Sequence, residues 1–220
     1  MTASFQNIAI LLAGGEGKRV GGDIPKQLRT LPDGRTVLQT CIDTFRLCPA
    51  IDDIWVVMHR DWLSYVPAGV HAIEGGKERW ESSFRAIQAI CEHYQEDVNV
   101  WIHDAARPFV SQRILADIAA ALENHDAVTV AVPVTDTLYR TEDGHVREIP
   151  DRKDFMRGQT PQAFHLGTIA EAFRKAMEEG QIAATDDVGI VHRYMPDIPV
   201  FIVPGEERNR KITYQEDLKP

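Results

Sequence analysis

IAILLA (Ile8–Ala13) runs without a break into GGEGKRVGGDIPKQL (Gly14–Leu28). A continuous apolar run of this length, with no polar alternation, predicts a strand buried on both faces, as in a parallel sheet. The glycines at 14, 15, 17, 21 and 22 predict a loop whose backbone amides can crowd around an anion. Lys18, Arg19 and Lys26 add full positive charge, and Lys26 follows the rigid Pro25. Together they favour a triphosphate. The bland alternative is a solvated glycine loop with surface cations, where an exposed Lys26 adds little to stability. No Walker A pattern can be read here, and Val20 stands where the third glycine of a dinucleotide fingerprint belongs.

Outward from this stretch, apolar strands and amphipathic helices alternate. Further strands are predicted at Asp53–His59, Val98–Asp104 and Asp126–Val134, and a late one in IPVFIVPG (Ile198–Gly205). Helices are predicted at Thr36–Cys48, Glu78–Tyr94, Ser111–Asn124, His165–Glu179 and Thr185–Met195. The second of these carries Phe84, Ile87, Cys91 and Tyr94 at helical spacing; the third opens on a serine cap. The alternation predicts an α/β fold with a mainly parallel twisted sheet and helices on both faces. Ligands in such sheets bind beyond the carboxyl ends of the strands, which puts the glycine loop and HDAARP (His103–Pro108) on one edge.

From about 134 to 162 the pattern becomes short, charged and polar, with a turn at Asp143-Gly144. It reads as a protruding β-arm, too polar for core, on a single domain spanning 1–220.

The 220 residues carry a net charge of −9, with 44% hydrophobic and 26% charged residues. That is a globular composition, and it excludes a general binder of nucleic acid, which needs a basic face. No apolar stretch has membrane-spanning length. The N-terminus reads as a first strand, not a signal peptide. Cys41, Cys48 and Cys91 form no disulfide framework or zinc spacing, which fits a reduced, cytoplasmic setting.

Asp104 ends a buried strand beside the phosphate loop, where a Mg²⁺ ligand belongs; the alternative is an acid capping a turn. Arg107 nearby is a second phosphate contact. Arg152, Lys153 and Arg157, and later Arg208, Arg210 and Lys211, are local cation groups in an acidic chain; the alternative for each is a solvated face. In ATDD, Thr185 or Asp186 reads as a helix cap. No metalloprotease, zinc or nucleophile-elbow motif is present.

LLAGGEGKRVGGDIPKQL, GGKERWESS, HDAARPFV, VPVTDTL, PDRKDFMRGQTPQAF, ATDD and NRKITYQEDL occur in that order. In this series the chain resembles the cytidylyltransferases of polyol phosphates, nearest the 2-C-methyl-D-erythritol 4-phosphate cytidylyltransferase family. RGQTPQ and HRDWLSYV (His59–Val66) also resemble the related ribitol-5-phosphate cytidylyltransferases. The resemblance implies a Rossmann-like nucleotidyltransferase fold, CTP and Mg²⁺ as ligands, and a homodimer joined through the arm. It implies Arg19 and Lys26 as catalytic cations and Asp104 as the metal acid. Gly14, Gly15, Gly17, Gly76, Ser82 and Lys211 would bind the nucleotide. Arg107, Thr137, Arg152, Thr160 and Thr185 would bind the polyol phosphate, partly across the dimer. Lys77 departs from the acid these enzymes often carry there. The expected reaction is CMP transfer from CTP with release of pyrophosphate. The same acceptor chemistry with ribitol 5-phosphate, and nucleotide binding without catalysis, are the alternatives.

Overall fold

The computed structural model describes residues 5–15, 24–94, 98–180, 182 and 184–218. Gly17, Lys18 and Arg19 therefore lie outside the described residues. A seven-stranded sheet forms the centre, in the order β3-β2-β1-β4-β8-β5-β9. Its strands are β1 (Asn7–Leu12), β2 (Asp53–Met58), β3 (His71–Glu74), β4 (Asn99–Asp104), β5 (Ala127–Pro133), β8 (Met156–His165) and β9 (Phe201–Pro204). β1 pairs in parallel with β2 and β4, β2 with β3, and β5 with β9. Only β8 runs antiparallel, between β4 and β5.

The strand pleat divides β1 between two cores. Ala9 and Leu11 pack with α1 (Val37–Arg46) and α3 (Gln112–Leu122). Ile8, Ile10 and Leu12 pack with α2 (Arg79–His93), α4 (Leu166–Glu179) and α5 (Asp187–Tyr194). Both faces are covered, so the unbroken apolar run is what the position requires. Helix starts are satisfied locally: Thr36 accepts from the Gln39 amide, Ser111 from Ile114, and Asp186 from Gly189. Of the two cap candidates in ATDD, Asp186 serves and Thr185 stands exposed.

Two sequence readings need correction. α2 buries Ser82, Ser83, Ala86, Ile87 and Ile90, and leaves Cys91 exposed. Its buried side takes in the small residues Ser82, Ser83 and Ala86 beside Ile87 and Ile90. The stretch from 156 is not arm. Met156–His165 is a ten-residue strand of the main sheet. Its polar residues Gln159, Thr160 and Gln162 are buried because polar groups distant in the sequence meet each of them. Gln159 donates to the Glu206 carbonyl and accepts from Asn209, and Gln162 joins Asp186. The strand shifts register against β5 around its Pro161, where a residue without an amide hydrogen fits a bulge.

The arm proper is an exposed hairpin of β6 (Arg140–Glu142) and β7 (His145–Glu148). Asp143 and Gly144 both take positive φ, 48° and 75°, the backbone of the tight turn that joins antiparallel strands.

Candidate active site

The site lies where β1 and β4 end. β1 delivers Gly14 and Gly15. The Gly75-Gly76 turn after β3 faces them, and Ser82 in the first turns of α2 joins the two. Ser82 Oγ accepts from the Gly76 amide at 3.1 Å and donates to the Glu78 carbonyl at 3.3 Å. A methyl group on Gly14 would stand 3.7 Å from that oxygen, and one on Gly75 3.0 Å. At Gly76 it would stand 2.1 Å from Glu81 Cβ, so the turn excludes any side chain. Gly14, Gly76 and Ser82 are thus brought together, while Gly15 is held by its carbonyl, which accepts from buried Gln27. Lys77 is exposed; its amide donates to Glu81 Oε2 at 2.7 Å.

Asp104, the last residue of β4, is buried and ringed by cations. Lys211 Nζ lies 2.8 Å from Oδ2, Arg79 Nε 3.2 Å from Oδ1, and Arg107 Nε 3.8 Å from Oδ2. Burial opposes ionisation of Asp104, but Arg79, Lys211 and Arg107 outweigh it and hold the carboxyl well below its usual range. Arg107 is itself pushed down by burial, against the pull of Asp104. It also donates to the Asn209 carbonyl at 2.8 Å.

Beneath this acid runs a directed chain of hydrogen bonds. His103 Nε2 lies 3.0 Å from the Arg107 carbonyl, which only accepts, so Nε2 carries the proton. Nδ1 then accepts from the Thr160 hydroxyl at 3.0 Å, and that oxygen accepts from the Asp104 amide at 3.1 Å. Burial pushes His103 down to about 4, so the ring is neutral at ordinary pH. Thr160 is buried, with its hydroxyl turned to His103 and the Asp104 amide.

Lys26 departs from the sequence reading. It is no exposed loop cation but 8% exposed, in a 3-10 turn (Lys26–Leu28). Its Nζ donates to the Ile212 carbonyl at 2.8 Å. Ile212 in turn donates its amide to Ala106, beside Asp104. The segment carrying Lys211 and Ile212 therefore fixes one cation on the acid and takes up a second.

The remaining residues lie on the surface. Thr137 and Arg152 are exposed at the root of the arm, and Arg152 donates to the Thr135 carbonyl. Thr185 is exposed just ahead of α5. Arg157 pairs with Glu207 on the surface.

Two residues escaped the sequence reading. Arg79 also contacts Asp187, with Nη1 2.7 Å from Oδ2. A signal was available for each. Arg79 opens α2, where a cation opposes the helix dipole, and ATDD holds one more acid than a cap needs.

Residues 7–220 match the family described as 2-C-methyl-D-erythritol 4-phosphate cytidylyltransferase. The chain is 40% identical to the protein of that name from Thermobifida fusca, over 96% of this chain and 89% of the relative. It is 37% identical to the ribitol-5-phosphate cytidylyltransferase of Lactiplantibacillus plantarum, over 96% and 94%. The crystal structure of 4-diphosphocytidyl-2C-methyl-D-erythritol synthase from Anaerococcus prevotii is similar with a TM-score of 0.83 at 29% identity, covering 98% of this chain and 93% of that one.

Proposed function

The chain belongs to the 2-C-methyl-D-erythritol 4-phosphate cytidylyltransferase family, and on that premise we propose that it transfers CMP from CTP to 2-C-methyl-D-erythritol 4-phosphate. The observation that carries the reading is the ionised Asp104 among Arg79, Arg107 and Lys211, one strand away from the Gly14, Gly76 and Ser82 cradle.

A phosphate oxygen of the acceptor attacks the α-phosphorus of CTP in line, and pyrophosphate leaves. The acceptor phosphate, with a second pKa of about 6, is already ionised near neutrality, so no side-chain base is needed. The work left to the protein is positioning and charge stabilisation. Lys26, with Arg19, holds the charge that builds on the α-phosphate. Lys211 turns from Asp104 to the triphosphate. Gly14, Gly15, Gly17, Gly76 and Ser82 shape the pocket for the nucleoside, Arg107 and Thr185 serve the acceptor side, and Thr160, its hydroxyl taken up by His103 and the Asp104 amide, supports Asp104 from behind.

Asp104 fits a Mg²⁺ ion that arrives with phosphates. It offers one ionised carboxylate, and the side chain of its partner Lys211 is exposed and can yield. Among the described residues no three metal-ligating side chains gather, so the remaining ligands would be phosphate oxygens and water. When bound, the ion neutralises charge on the triphosphate.

The hairpin arm supports a homodimer. Tyr139, Val146, Ile149 and Phe155 expose apolar surface along it, and an isolated two-stranded hairpin is marginal in water. A twofold partner would cover these residues, and Thr137 and Arg152 would complete the partner's acceptor pocket. The free cysteines support a cytoplasmic location, and no helix among the described residues is long and apolar enough to cross a membrane.

The test is pyrophosphate release from CTP with Mg²⁺ and each acceptor in turn. Higher kcat/KM with 2-C-methyl-D-erythritol 4-phosphate is expected. Higher kcat/KM with ribitol 5-phosphate would reassign the acceptor. CTP binding with no release for any acceptor would leave a nucleotide-binding module.

A further inference from the structure

Asp187 has no task in the reaction as described, yet it is placed at a cost. It is fully buried, at 0% exposure, and a buried carboxylate is expensive unless paired. The cap of α5 does not need it, since Asp186 accepts from Gly189. Arg79 is equally out of place at the positive end of α2. The two local conflicts resolve in each other, with Arg79 Nη1 2.7 Å from Asp187 Oδ2. The same guanidinium places Nε 3.2 Å from Asp104 Oδ1. One planar group thus spans two carboxylates from two elements.

The linkage continues behind Asp187. Buried Gln162 of β8 accepts from the Asp187 and Val188 amides at 3.0 and 3.2 Å. It donates to Asp186 at 2.7 Å. Gln162 is paired with Ile102 of β4, the strand that ends in Asp104. The loop bearing Thr185 and the acid Asp104 are therefore tied twice, through Gln162 on the sheet and through Arg79 above it.

We infer that Asp187 is a positioning residue: it fixes the Arg79 guanidinium, which sets the Asp104 carboxylate and locks it to the acceptor-side loop at Thr185. This rests on the cytidylyl-transfer reading. It differs from a merely structural ion pair in its electrostatic consequence. Arg79 faces both Asp104 and Asp187, while Arg107 and Lys211 face Asp104. Burial pushes the Asp187 carboxyl up and Arg79 pulls it down, so Asp187→Asn leaves the site as positive as before or more so. Binding of a free triphosphate should not weaken, while turnover should.

The experiment is Asp187→Asn, assayed below its melting temperature and normalised to folded protein. We expect kcat to fall by about tenfold to a hundredfold, the usual effect of losing a supporting group. CTP affinity by calorimetry without metal should be unchanged or tighter. If kcat stays within about twofold of the parent, or affinity and kcat fall together, the inference is overturned. Should Asp187→Asn not fold, Arg79→Lys decides. It keeps the charge but loses the fork that reaches both acids, so the same kcat loss is expected, and parental kcat overturns the inference. A parent chain that releases no pyrophosphate would instead defeat the functional reading.

Discussion

Replacing Lys26 with alanine separates the clasp that the fold gives this side chain from the catalytic role proposed for it. In the folded chain its ammonium donates to the Ile212 carbonyl at 2.8 Å, and the residue is 8% exposed. A hydrogen bond to a charged group is worth about 1.5–3 kcal/mol. Alanine also strips the buried aliphatic stem of its packing. A loss of about 2 kcal/mol lowers the melting temperature by about 4–8 °C in a chain of this size. In the reaction proposed above the same ammonium would face charge that grows on the α-phosphate, and loss of such a group costs about a hundredfold to a thousandfold in kcat. Thermal unfolding and pyrophosphate release measure the two separately. Lys26→Met should lose the same rate but less stability, because its stem remains. An unchanged melting temperature for Lys26→Ala would refute the buried clasp. A kcat within a few-fold of the parent would refute the catalytic assignment.

Gly76→Ala forces a methyl to within 2.1 Å of Glu81 Cβ; melting should report a loss of about 1–3 kcal/mol, and the KM for CTP should rise. Asp104→Asn should lower activity and shift its Mg²⁺ dependence to higher concentration; a parental Mg²⁺ titration would place the metal ligand elsewhere. Burial holds His103 at about 4, below its ordinary 6.5. Above 6.5 it is neutral in both states. As pH falls from 6.5 toward 4, the unfolded chain takes up a proton that the fold refuses, so stability drops by up to about 3 kcal/mol and then levels off. Urea midpoints across that window should fall less steeply for His103→Gln than for the parent. Arg152→Ala should raise the acceptor KM far more than the CTP KM. Mixed with Lys26→Ala under proven subunit exchange it should recover activity, and no recovery would exclude a site shared across the dimer.

The parallel part of the fold was legible because its signals are local. β1 must be apolar on both faces, α3 and α5 announce their caps, and Asp104 shows as an acid at a strand end. β8 was hidden because Gln159, Thr160 and Gln162 find their partners at Asn209, His103 and Asp186, none of them near in sequence. A polar run reads as surface until those partners are known. β3 was missed because an edge strand with mostly exposed side chains carries no hydrophobic pattern. The burial of Lys26 depends on a carbonyl near the opposite end of the chain. Within the site, the glycine loop showed in the sequence itself, while Gly76 and Ser82 were reached only through the family resemblance. The Asp104–Arg79–Asp187 linkage needs the helices folded onto the sheet before it exists.

The placement of β8 also governs how the chain assembles. β1 can gather β2 and β4 as soon as residue 104 is available. The far edge of β4 must then wait for Met156–His165, and β5 meets the sheet only through that late strand. Until it arrives, a strand that is buried along its whole length in the finished fold presents an open row of backbone donors and acceptors, the kind of edge that recruits other chains. Nascent or truncated forms that stop within the arm would be held at that stage; synthesis through residue 165 supplies the cover for the β4 edge, and the outer edge of β5 waits for β9.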